Sequence, residues 1–381
     1  MELSQARMRI DDIDARILDL FCERMELASE VAHSKMRTGK AVFDPARERE
    51  KLADIAARAP EGLEHSAIAL FSLLMSMNKS EQLRIINHSK DESRSQRALA
   101  HLLPSTVGFP ETGTVCCQGV EGAYSQIAAC KLFRLPQITY APTFEGVFRA
   151  IADGTCEFGV LPIENSTAGS VNAVYDLLAK YRFSIVRSLR LKIDHNLLAK
   201  PGVRIEDIAE IFSHEQALAQ CADFLASLDV STHVCQNTAR AAEQVASSDR
   251  RDLAALSSRD CASLYGLETL KADVQDSDNN YTRFVVIARD PAIYPGANRT
   301  SIILTLRSEP GALYRVLERI YALDINLVKL ESRPIPQRDF EFRFYFDLEC
   351  SPVSDAFAAL LDTLDDVTSS LTYLGSYTEI L

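Results

Sequence analysis

The sequence has no tryptophan, no pair of cysteines spaced as CxxC, and no apolar run long enough to span a membrane. Its nine cysteines are scattered and none joins a histidine at zinc-site spacing, which argues against a structural zinc site and predicts free thiols. The acidic, amphipathic N-terminus is unlike a signal peptide. These absences predict a cytoplasmic protein that needs no metal or other cofactor.

Basic residues are also in short supply, since 41 Lys and Arg face 53 Asp and Glu for a net charge of −12. This balance argues against a nucleic-acid partner, because binding a phosphate backbone needs a basic surface. It leaves room for small anionic substrates, which need only a few local cations. At 381 residues the chain is too long for one typical core, and two or three domains are expected.

Residues 1–88 predict an all-α domain, because apolar residues recur with a helical period and Gly and Pro are rare. We expect helices over residues 3–37, 45–59 and 66–86. Residues 89–113 lose this period and gain Ser, Pro and Gly, which is typical of a linker.

Three cations, Arg7, Arg24 and Lys35, share one stripe of the first helix with apolar residues. Because a buried charge must be paired, such a set indicates a pocket for a dianionic ligand. Each cation alone could instead pair with Asp14 or Glu48, or lie along the surface. Arg24 and Lys35 are about 16 Å apart along the helix, whereas Arg7 and Arg24 are about 25 Å apart. If all three serve one site, Arg7 comes from a second chain in an intertwined homodimer, alone or within a dimer of dimers.

This cation stripe, followed by the charged run from Asp44 to Glu50, resembles the all-helical class of chorismate mutase. The resemblance covers residues 1–88 and implies that chorismate rearranges in one pericyclic step, held by cations and an amide donor. Position 78 departs from the family pattern, with asparagine where serine is common. The substrate-binding residues that the resemblance implies are Arg7, Arg24, Lys35, Asp44, Arg47, Glu48, Asn78 and Gln82.

Residues 114–289 alternate short apolar runs with helical stretches, a pattern typical of βα units and parallel sheets. Their length leaves room for two lobes with a ligand cleft between them. Polar clusters stand at the ends of four predicted strands, where open α/β sheets bind ligands. The clusters are GVEGAYS from Gly119, PIENS from Pro162, SHEQ from Ser213 and NYTRF from Asn280. Taken singly, each also fits a structural role such as a strand–helix turn, a helix N-cap or a packed histidine.

The same clusters, in the same order, resemble the motifs of prephenate dehydratase over residues 114–289. The resemblance implies a fold like the two-lobed periplasmic binding proteins, with the active site in the cleft. The implied catalytic residues are Thr282, Asn165, Glu164 and Gln216, and the implied substrate contacts are Ser125, Ser213, His214 and Arg283. A threonine hydroxyl is a poor acid, so we interpret Thr282 as a hydrogen-bond donor to the leaving oxygen. The proton source stays open between Glu164 and His214.

Residues 299–381 predict the order strand, helix, strand, strand, helix, strand of a ferredoxin-like domain. Two turn motifs, Pro310–Leu313 and Glu331–Pro334, resemble those of the ACT domains attached to prephenate dehydratases. The resemblance implies a regulatory phenylalanine site between two such domains, lined by Gly311, Ala312, Leu313, Glu331, Ser332, Arg333 and Pro334.

Together these segments predict a multidomain chain with an all-α domain, a two-lobed α/β domain and an α+β ferredoxin-like domain. The expected function is bifunctional, from chorismate to prephenate and from prephenate to phenylpyruvate, with L-phenylalanine as feedback inhibitor. Two enzymatic alternatives stay open: a dehydratase with a degenerate mutase domain, and a dehydratase that takes arogenate. A non-catalytic amino-acid sensor is an alternative of another class, and the intact cluster around Thr282 argues against it.

Overall fold

The protein is described by a computed structural model that covers residues 3–40, 42, 44–88, 105–335, 341–364 and 367–381. Residues 89–104, most of the predicted linker, lie outside this described part. The chain divides into two compact units, each built from several stretches of sequence. The first comprises Met1–His101, Leu306–Ile325 and Val353–Ser370, and the second comprises Leu102–Thr305, Asn326–Pro352 and Leu371–Leu381.

The N-terminal segment forms three helices, as predicted: α1 (Leu3–Thr38), α2 (Pro45–Arg58) and α3 (Glu64–His88). Both α1 and α2 pack against α3. The start of α2 is fixed by Pro45 in its first turn and by Asp44, whose carboxylate accepts the backbone N–H of Arg47. The buried residues of α1 are Ala28 and Ala32, and several larger apolar side chains, among them Ile10, Ile13 and Ile17, are exposed within the described chain.

The middle of the chain alternates strands with short helices. From residue 112 to 192 the elements are β1 (Thr112–Gln118), α4 (Tyr124–Leu132), β2 (Leu135–Ala141), α5 (Phe144–Ala152), β3 (Phe158–Asn165), β4 (Gly169–Ser170), α6 (Asn172–Tyr181) and β5 (Ser184–Lys192). From residue 196 to 288 they are β6 (Asn196–Ala199), β7 (Glu210–His214), α7 (Glu215–Ala219), α8 (Ala222–Ala226), β8 (Ser231–Cys235), α9 (Thr238–Ser247), β9 (Leu253–Ser257), α10 (Arg259–Tyr265), β10 (Glu268–Lys271) and β11 (Tyr281–Ala288).

The C-terminal segment follows the predicted order of elements, with one short strand added at its end. The elements are β12 (Arg299–Leu306), α11 (Ala312–Ala322), β13 (Asn326–Pro334), β14 (Phe342–Glu349), α12 (Asp355–Leu364), β15 (Thr368–Tyr377) and β16 (Glu379–Ile380). The two helices belong to the first compact unit, and the strands belong almost entirely to the second.

The strands form three sheets. A seven-stranded sheet has the order β16-β5-β11-β3-β1-β2 with β4 beside β3, a five-stranded sheet has β10-β6-β9-β7-β8, and a four-stranded sheet has β13-β14-β12-β15. The first two are mixed, so the prediction of parallel sheets was wrong in part. Strand β11 runs antiparallel to β3 and β5, and β6 runs antiparallel to β9 and β10. An apolar run in the sequence shows where a strand lies but not in which direction it runs. The direction of β11 is set because the chain returns to the seven-stranded sheet from the five-stranded sheet.

Strand β11 is buried on both faces of the seven-stranded sheet. Val285 and Ile287 join one apolar cluster, and Phe284 and Val286 join the cluster on the opposite face. The first cluster also contains Tyr345 from the four-stranded sheet. Consecutive side chains of β11 therefore pack on opposite faces of the sheet.

All nine cysteines are free, as predicted. Most of them are buried, whereas Cys22 and Cys130 are exposed and Cys235 is half-buried. None of the helices that the structure describes is long and apolar enough to cross a membrane.

Candidate active site

A cavity of about 420 Å³ lies between the seven-stranded and five-stranded sheets. Strands β1, β3, β7 and β8 end at it, as the carboxyl-end rule predicts. The antiparallel strand β11 reaches it with its first residues, because a strand running the opposite way presents its amino end at the same edge. The polar residues that line it are Gln118, Tyr124, Ser125, Asn165, His195, His214, Gln216, Gln220, Gln236, Asn237, Thr238 and Thr282.

The side chain of Asn165 has a fixed orientation. Its Oδ1 accepts the backbone N–H groups of Thr167 and Ala168 at 3.0 and 2.9 Å. Its Nδ2 must therefore be the donor toward Asn280 Oδ1 and Thr282 Oγ1, both at 2.9 Å. Because the Thr282 oxygen accepts this bond, its own proton is available for a ligand in the cavity.

The pairing of β3 with β11 decides which side chains meet the cavity. Thr282 lies opposite Asn165, and the next pair is Arg283 opposite Glu164. A bulge then follows, so that Phe284 faces Pro162. Thr282 and Asn165 line the cavity. The next pair, Arg283 and Glu164, does not line it.

Glu164 and Arg283 were predicted as site residues, but the structure places both outside this cavity. Glu164 accepts Lys329 Nζ at 2.6 Å and lies 3.5 Å from the Arg283 guanidinium. Arg283 is only 5% exposed, and its Nη2 donates to Asp347 at 2.5 Å. Burial alone would lower the pKa of Arg283, but the combined opposing effects of Asp347, Tyr377 and Tyr175 hold that pKa above its usual value. Both charges are thus committed to partners in the protein.

The remaining predicted residues divide into two groups. Ser213 is fully buried and donates its hydroxyl to the carbonyl of Leu256 at 2.7 Å, so it is occupied in the fold and absent from the cavity lining. Ser125, Gln216 and His214 do line the cavity. The Nδ1 of His214 accepts the backbone N–H of Gln216 at 3.2 Å and so caps α7, and burial lowers the pKa of this histidine.

Two further cavity residues, His195 and Gln220, were missed by the sequence prediction. Gln220 Oε1 meets His195 Nε2 at 2.9 Å and accepts Asn280 Nδ2 at 3.0 Å. Its Nε2 donates to Thr167 Oγ1 at 2.6 Å. A signal for Gln220 was available, since it follows Gln216 by one helical turn in the same motif. His195 stands alone in the sequence, between two strands, and nothing local marks it.

The cavity is uncharged. Among the described residues that line it there is no Arg, Lys, Asp or Glu. Two helix N-termini give it partial positive charge. Ser125 is the second residue of α4, which has no side-chain cap, and Thr238 is the first residue of α9. Unpaired N–H groups at such termini attract anions. The cavity can therefore hold a carboxylate without an ion pair.

In the N-terminal helices, the structure links several predicted mutase residues. Asn78 Nδ2 donates to the carbonyl of Arg24 at 3.2 Å, and Asn78 Oδ1 accepts Gln82 Nε2 at 2.7 Å. Gln82 is 4% exposed, and its Oε1 has no partner among the described residues. Lys35 Nζ donates to the carbonyl of Val42, and burial lowers the pKa of Lys35 against the opposing pull of Asp44 and Glu48.

Other predicted mutase residues lie apart in the single chain. Arg7 is exposed, and Arg47 is 76% exposed beside Glu50. The stripe predicted to face the core is also exposed: Ile10 and Ile17 are 55% and 56% exposed. Within one chain the prediction of a core-facing stripe is therefore wrong, because α1 has too few packing partners to bury it.

The two predicted phenylalanine motifs fall in different compact units. Gly311 has a left-handed φ of 77° and caps α11, and it lies in the first unit with Ala312 and Leu313. Glu331 to Pro334 lie on β13 in the second unit, where Glu331 accepts Ser170 Oγ at 2.5 Å. Arg333 pairs with Asp176 at 2.8 Å.

Comparison with known proteins finds two enzyme families in separate stretches of the chain. A family model for prephenate dehydratase matches residues 115–292, and one for chorismate mutase type II matches residues 6–83. A bifunctional chorismate mutase/prephenate dehydratase of Aquifex aeolicus is 30% identical over 387 residues, covering 100% of this chain and 99% of that protein. The chain belongs to the bifunctional chorismate mutase/prephenate dehydratase family. The non-catalytic sensor is thereby set aside.

Other relatives cover about 70% of this bifunctional family member. An Arabidopsis thaliana arogenate dehydratase/prephenate dehydratase is 39% identical over 275 residues, covering 69% of this chain and 72% of that protein. A prephenate dehydratase from Arthrobacter aurescens, solved in complex with L-Phe, is 26% identical with a TM-score of 0.64, over 70% of this chain and 89% of that one. A structure described as a quorum quenching acylase is 32% identical with a TM-score of 0.65, over 70% of this chain and 98% of that one.

Proposed function

We propose that the two reactions of this bifunctional enzyme occur at separate places. Chorismate rearranges to prephenate among the N-terminal helices, and prephenate becomes phenylpyruvate in the cavity around Asn165 and Thr282. The observation that carries the second assignment is the fixed Asn165 amide, which occupies the Thr282 oxygen and leaves the Thr282 proton for a ligand.

Dehydration of prephenate breaks two bonds: the ring carboxylate leaves as carbon dioxide and the ring hydroxyl leaves as water. The aromatic ring that forms supplies the driving force. The enzyme must stabilise negative charge on the departing oxygen, and a positioned hydroxyl donor in a water-poor cavity does this. Thr282 supplies that hydrogen bond, and Asn165 keeps the hydroxyl turned toward the substrate.

The uncharged cavity suits the other half of the reaction. The ring carboxylate must give up its electron pair, and a tight ion pair would stabilise the carboxylate in the ground state. The N-termini of α4 and α9, with Ser125 and Thr238, offer neutral donors instead. This arrangement holds a dianion while leaving decarboxylation unimpeded.

The same geometry argues against Thr282 as a nucleophile. A nucleophilic hydroxyl needs a base that accepts its proton. Among the described residues, the hydrogen bond recorded at the Thr282 hydroxyl comes from an amide donor, Asn165. Among the described residues, Thr282 therefore has no base partner of the kind on which acyl transfer usually relies, although a relative of known structure is described as an acylase.

The substrate proposed for this cavity is prephenate and not arogenate. Arogenate carries an amino group where prephenate has a keto group, and a buried ammonium needs a carboxylate partner. No Asp or Glu is present among the described residues of the lining. The cavity therefore favours the keto acid.

For the mutase reaction we propose a homodimer as the smallest active unit. Arg24, Lys35 and Gln82 of one chain hold the substrate, and Arg7 of a second chain completes the site. The exposed apolar face of α1, which includes Ile10 and Ile17, is the surface that the second copy covers. The Oε1 of buried Gln82 has no partner in the described part of the chain, which fits a residue that completes its contacts with a ligand.

We also propose that L-phenylalanine inhibits the dehydratase through the C-terminal segment, which resembles an ACT domain. Strand β13 carries the Glu331–Pro334 motif, and one of its residues, Lys329, holds Glu164 at 2.6 Å. Glu164 directly precedes Asn165 on β3. A ligand that shifts β13 therefore changes the strand that positions Asn165. The relative solved in complex with L-Phe supports phenylalanine as this ligand.

Purified full-length protein supplied with chorismate tests the bifunctional assignment. We expect prephenate to form and then phenylpyruvate, with phenylalanine suppressing the second step. Absence of prephenate would overturn the mutase assignment. Faster turnover of arogenate than of prephenate would overturn the substrate assignment.

A further inference from the structure

The dehydration consumes one proton in each turnover, since hydroxide departs as water. The cavity offers few sources for it. Among the described lining residues, the groups that can exchange a proton near neutral pH are the two histidines, His195 and His214. Glu164, a candidate from the sequence, pairs with Lys329 and Arg283 outside the cavity.

The protonation of His195 follows from a chain of hydrogen bonds that begins at the backbone. The N–H groups of residues 167 and 168 make Asn165 Oδ1 the acceptor, so Asn165 Nδ2 donates to Asn280 Oδ1. Asn280 Nδ2 is then the donor to Gln220 Oε1. Because Gln220 Oε1 is an acceptor, His195 Nε2, which lies 2.9 Å from it, must also be a donor. In the neutral imidazole of His195, Nε2 therefore carries the proton and Nδ1 carries the lone pair.

The Nδ1 atom of His195 is buried and has no hydrogen-bond partner among the described residues. The whole side chain is 2% exposed. Leaving a buried acceptor unpaired is destabilising, so such an atom in a residue that lines the substrate cavity calls for an explanation. A proton carried by Nδ1 during the reaction provides one.

His214 is the weaker candidate for a structural reason. Its Nδ1 caps α7 by accepting the backbone N–H of Gln216, so protonating Nδ1 would remove the cap. Protonating His195 at Nδ1 breaks no recorded hydrogen bond, because the bond from Nε2 to Gln220 stays in place. Protonation of His195 therefore keeps its hydrogen bond, whereas protonation of His214 removes a helix cap.

We propose that His195 is the proton donor of the dehydratase, a further catalytic residue that rests on the function proposed above for this cavity. Nδ1 takes a proton from solvent as the dianionic substrate binds and transfers it to the departing hydroxyl oxygen. The carbon–oxygen bond and the bond to the ring carboxylate break, and the carboxylate electron pair enters the new aromatic ring. Water and carbon dioxide leave, and His195 returns to its neutral form.

The surroundings of His195 explain why the proton arrives with the substrate. In the empty cavity, burial lowers the pKa of His195, with a smaller effect of His214 in the same direction and opposing effects of Gln220 and Asp194. Tyr124 packs edge-on against the ring at 6.2 Å, and its hydroxyl is turned to the carbonyl of Asp194. A bound dianion adds the negative charge that the lining lacks and so favours the imidazolium.

The decisive variant is His195→Gln, whose amide can still donate to Gln220 but has no ionisable group. We expect the dehydratase kcat to fall about 100-fold or more, with a smaller change in KM. In the native enzyme, kcat should fall as the pH rises through the pKa of the acid in the substrate complex. This decrease of kcat at high pH, the alkaline limb of the pH profile, should vanish in the variant. Mutase activity of the same chain should stay unchanged and reports that the variant is folded.

The matched control is His214→Asn, because asparagine retains the helix cap. It should keep the alkaline limb whatever it does to KM. A His195→Gln enzyme with native kcat and an intact limb would overturn the proposal, as would loss of the limb in His214→Asn.

Gln220 acts as a positioning residue, and Gln220→Glu gives a second test that does not remove the histidine. A carboxylate beside Nε2 stabilises the imidazolium, so the alkaline limb should move to higher pH. An unmoved limb would contradict the proposal. If Thr282→Val keeps full dehydratase activity, the assignment of the cavity itself fails. If Thr282→Val is inactive and His195→Gln is native-like, the role of His195 alone fails.

Discussion

Asn165 donates its side-chain N–H to the hydroxyl oxygen of Thr282 across 2.9 Å. Two backbone N–H groups hold the other end of the amide, so the direction of this bond is set by the chain itself. The hydroxyl proton of Thr282 is consequently directed away from Asn165 and available to the cavity. One asparagine thus determines which side of a threonine faces the substrate.

Asn165→Asp should reverse this arrangement at nearly constant shape. A carboxylate accepts from Thr282 instead of donating to it, and it adds a negative charge next to a dianionic substrate. We expect dehydratase kcat to fall about 100-fold, in the range for loss of one oxyanion donor, and mutase activity to persist. The exposed Asn172→Asp at the start of α6 makes the same chemical change outside the cavity and should be neutral. Equal losses in both variants would contradict this role of Asn165.

Arg283 should contribute to stability more than to substrate binding. Arg283→Met leaves Asp347 buried without its charged partner, which costs about 3–5 kcal/mol. The double variant Arg283→Met/Asp347→Leu should recover part of that loss, because both charges are then gone. Urea unfolding followed by circular dichroism measures the difference in a chain that has no tryptophan. A raised KM for prephenate at native stability would instead place Arg283 at the substrate.

Gly311→Ala should weaken phenylalanine inhibition and spare basal activity. At a φ of +77° a Cβ would meet Arg315 Nη1 only at an ordinary contact distance of 3.7 Å, but the backbone would be strained, which costs about 1–2 kcal/mol. That strain corresponds to an increase of about fivefold to thirtyfold in the phenylalanine concentration for half-inhibition. Gly202 has the same φ and similar space, so Gly202→Ala is the matched control and should leave inhibition unchanged. Unaltered inhibition in Gly311→Ala would remove this glycine from the effector site.

Subunit mixing tests whether Arg7 acts in the partner's mutase site. Arg7→Ala and Arg24→Ala should each inactivate the mutase alone. A mixed dimer contains one site with both arginines, so random mixing should restore about a quarter of the native sites. Recovery of mutase activity after co-refolding is the measurement. No recovery, with mixed dimers present, would place both arginines in the same chain's site.

The sequence predicted the helices and strands better than the long-range contacts between their side chains. Helical periods located α1 to α3, and the C-terminal order of elements was predicted except for the short final strand β16. Thr282 and Asn165 could be proposed because polar clusters at strand ends meet at one sheet edge. The sequence did not reveal that Arg283 would turn to Asp347, 64 positions away. Neither did it indicate the bulge that sets the pairing around Glu164.

The same reason explains the missed histidine. His195 acquires its role from Gln220, which lies 25 positions away in another element. A lone histidine between two strands carries no local signal of such a contact. Long-range hydrogen bonds of this kind appear only when the chain is folded.

The role of Thr282 in the dehydratase cavity is tested most directly by supplying the Thr282→Val variant of the whole chain with chorismate and identifying the product. Valine keeps the shape of threonine and removes the cavity hydroxyl that Asn165 orients. We expect prephenate to accumulate at the native rate while phenylpyruvate formation falls at least about 100-fold. Phenylpyruvate formed at the native rate would contradict it.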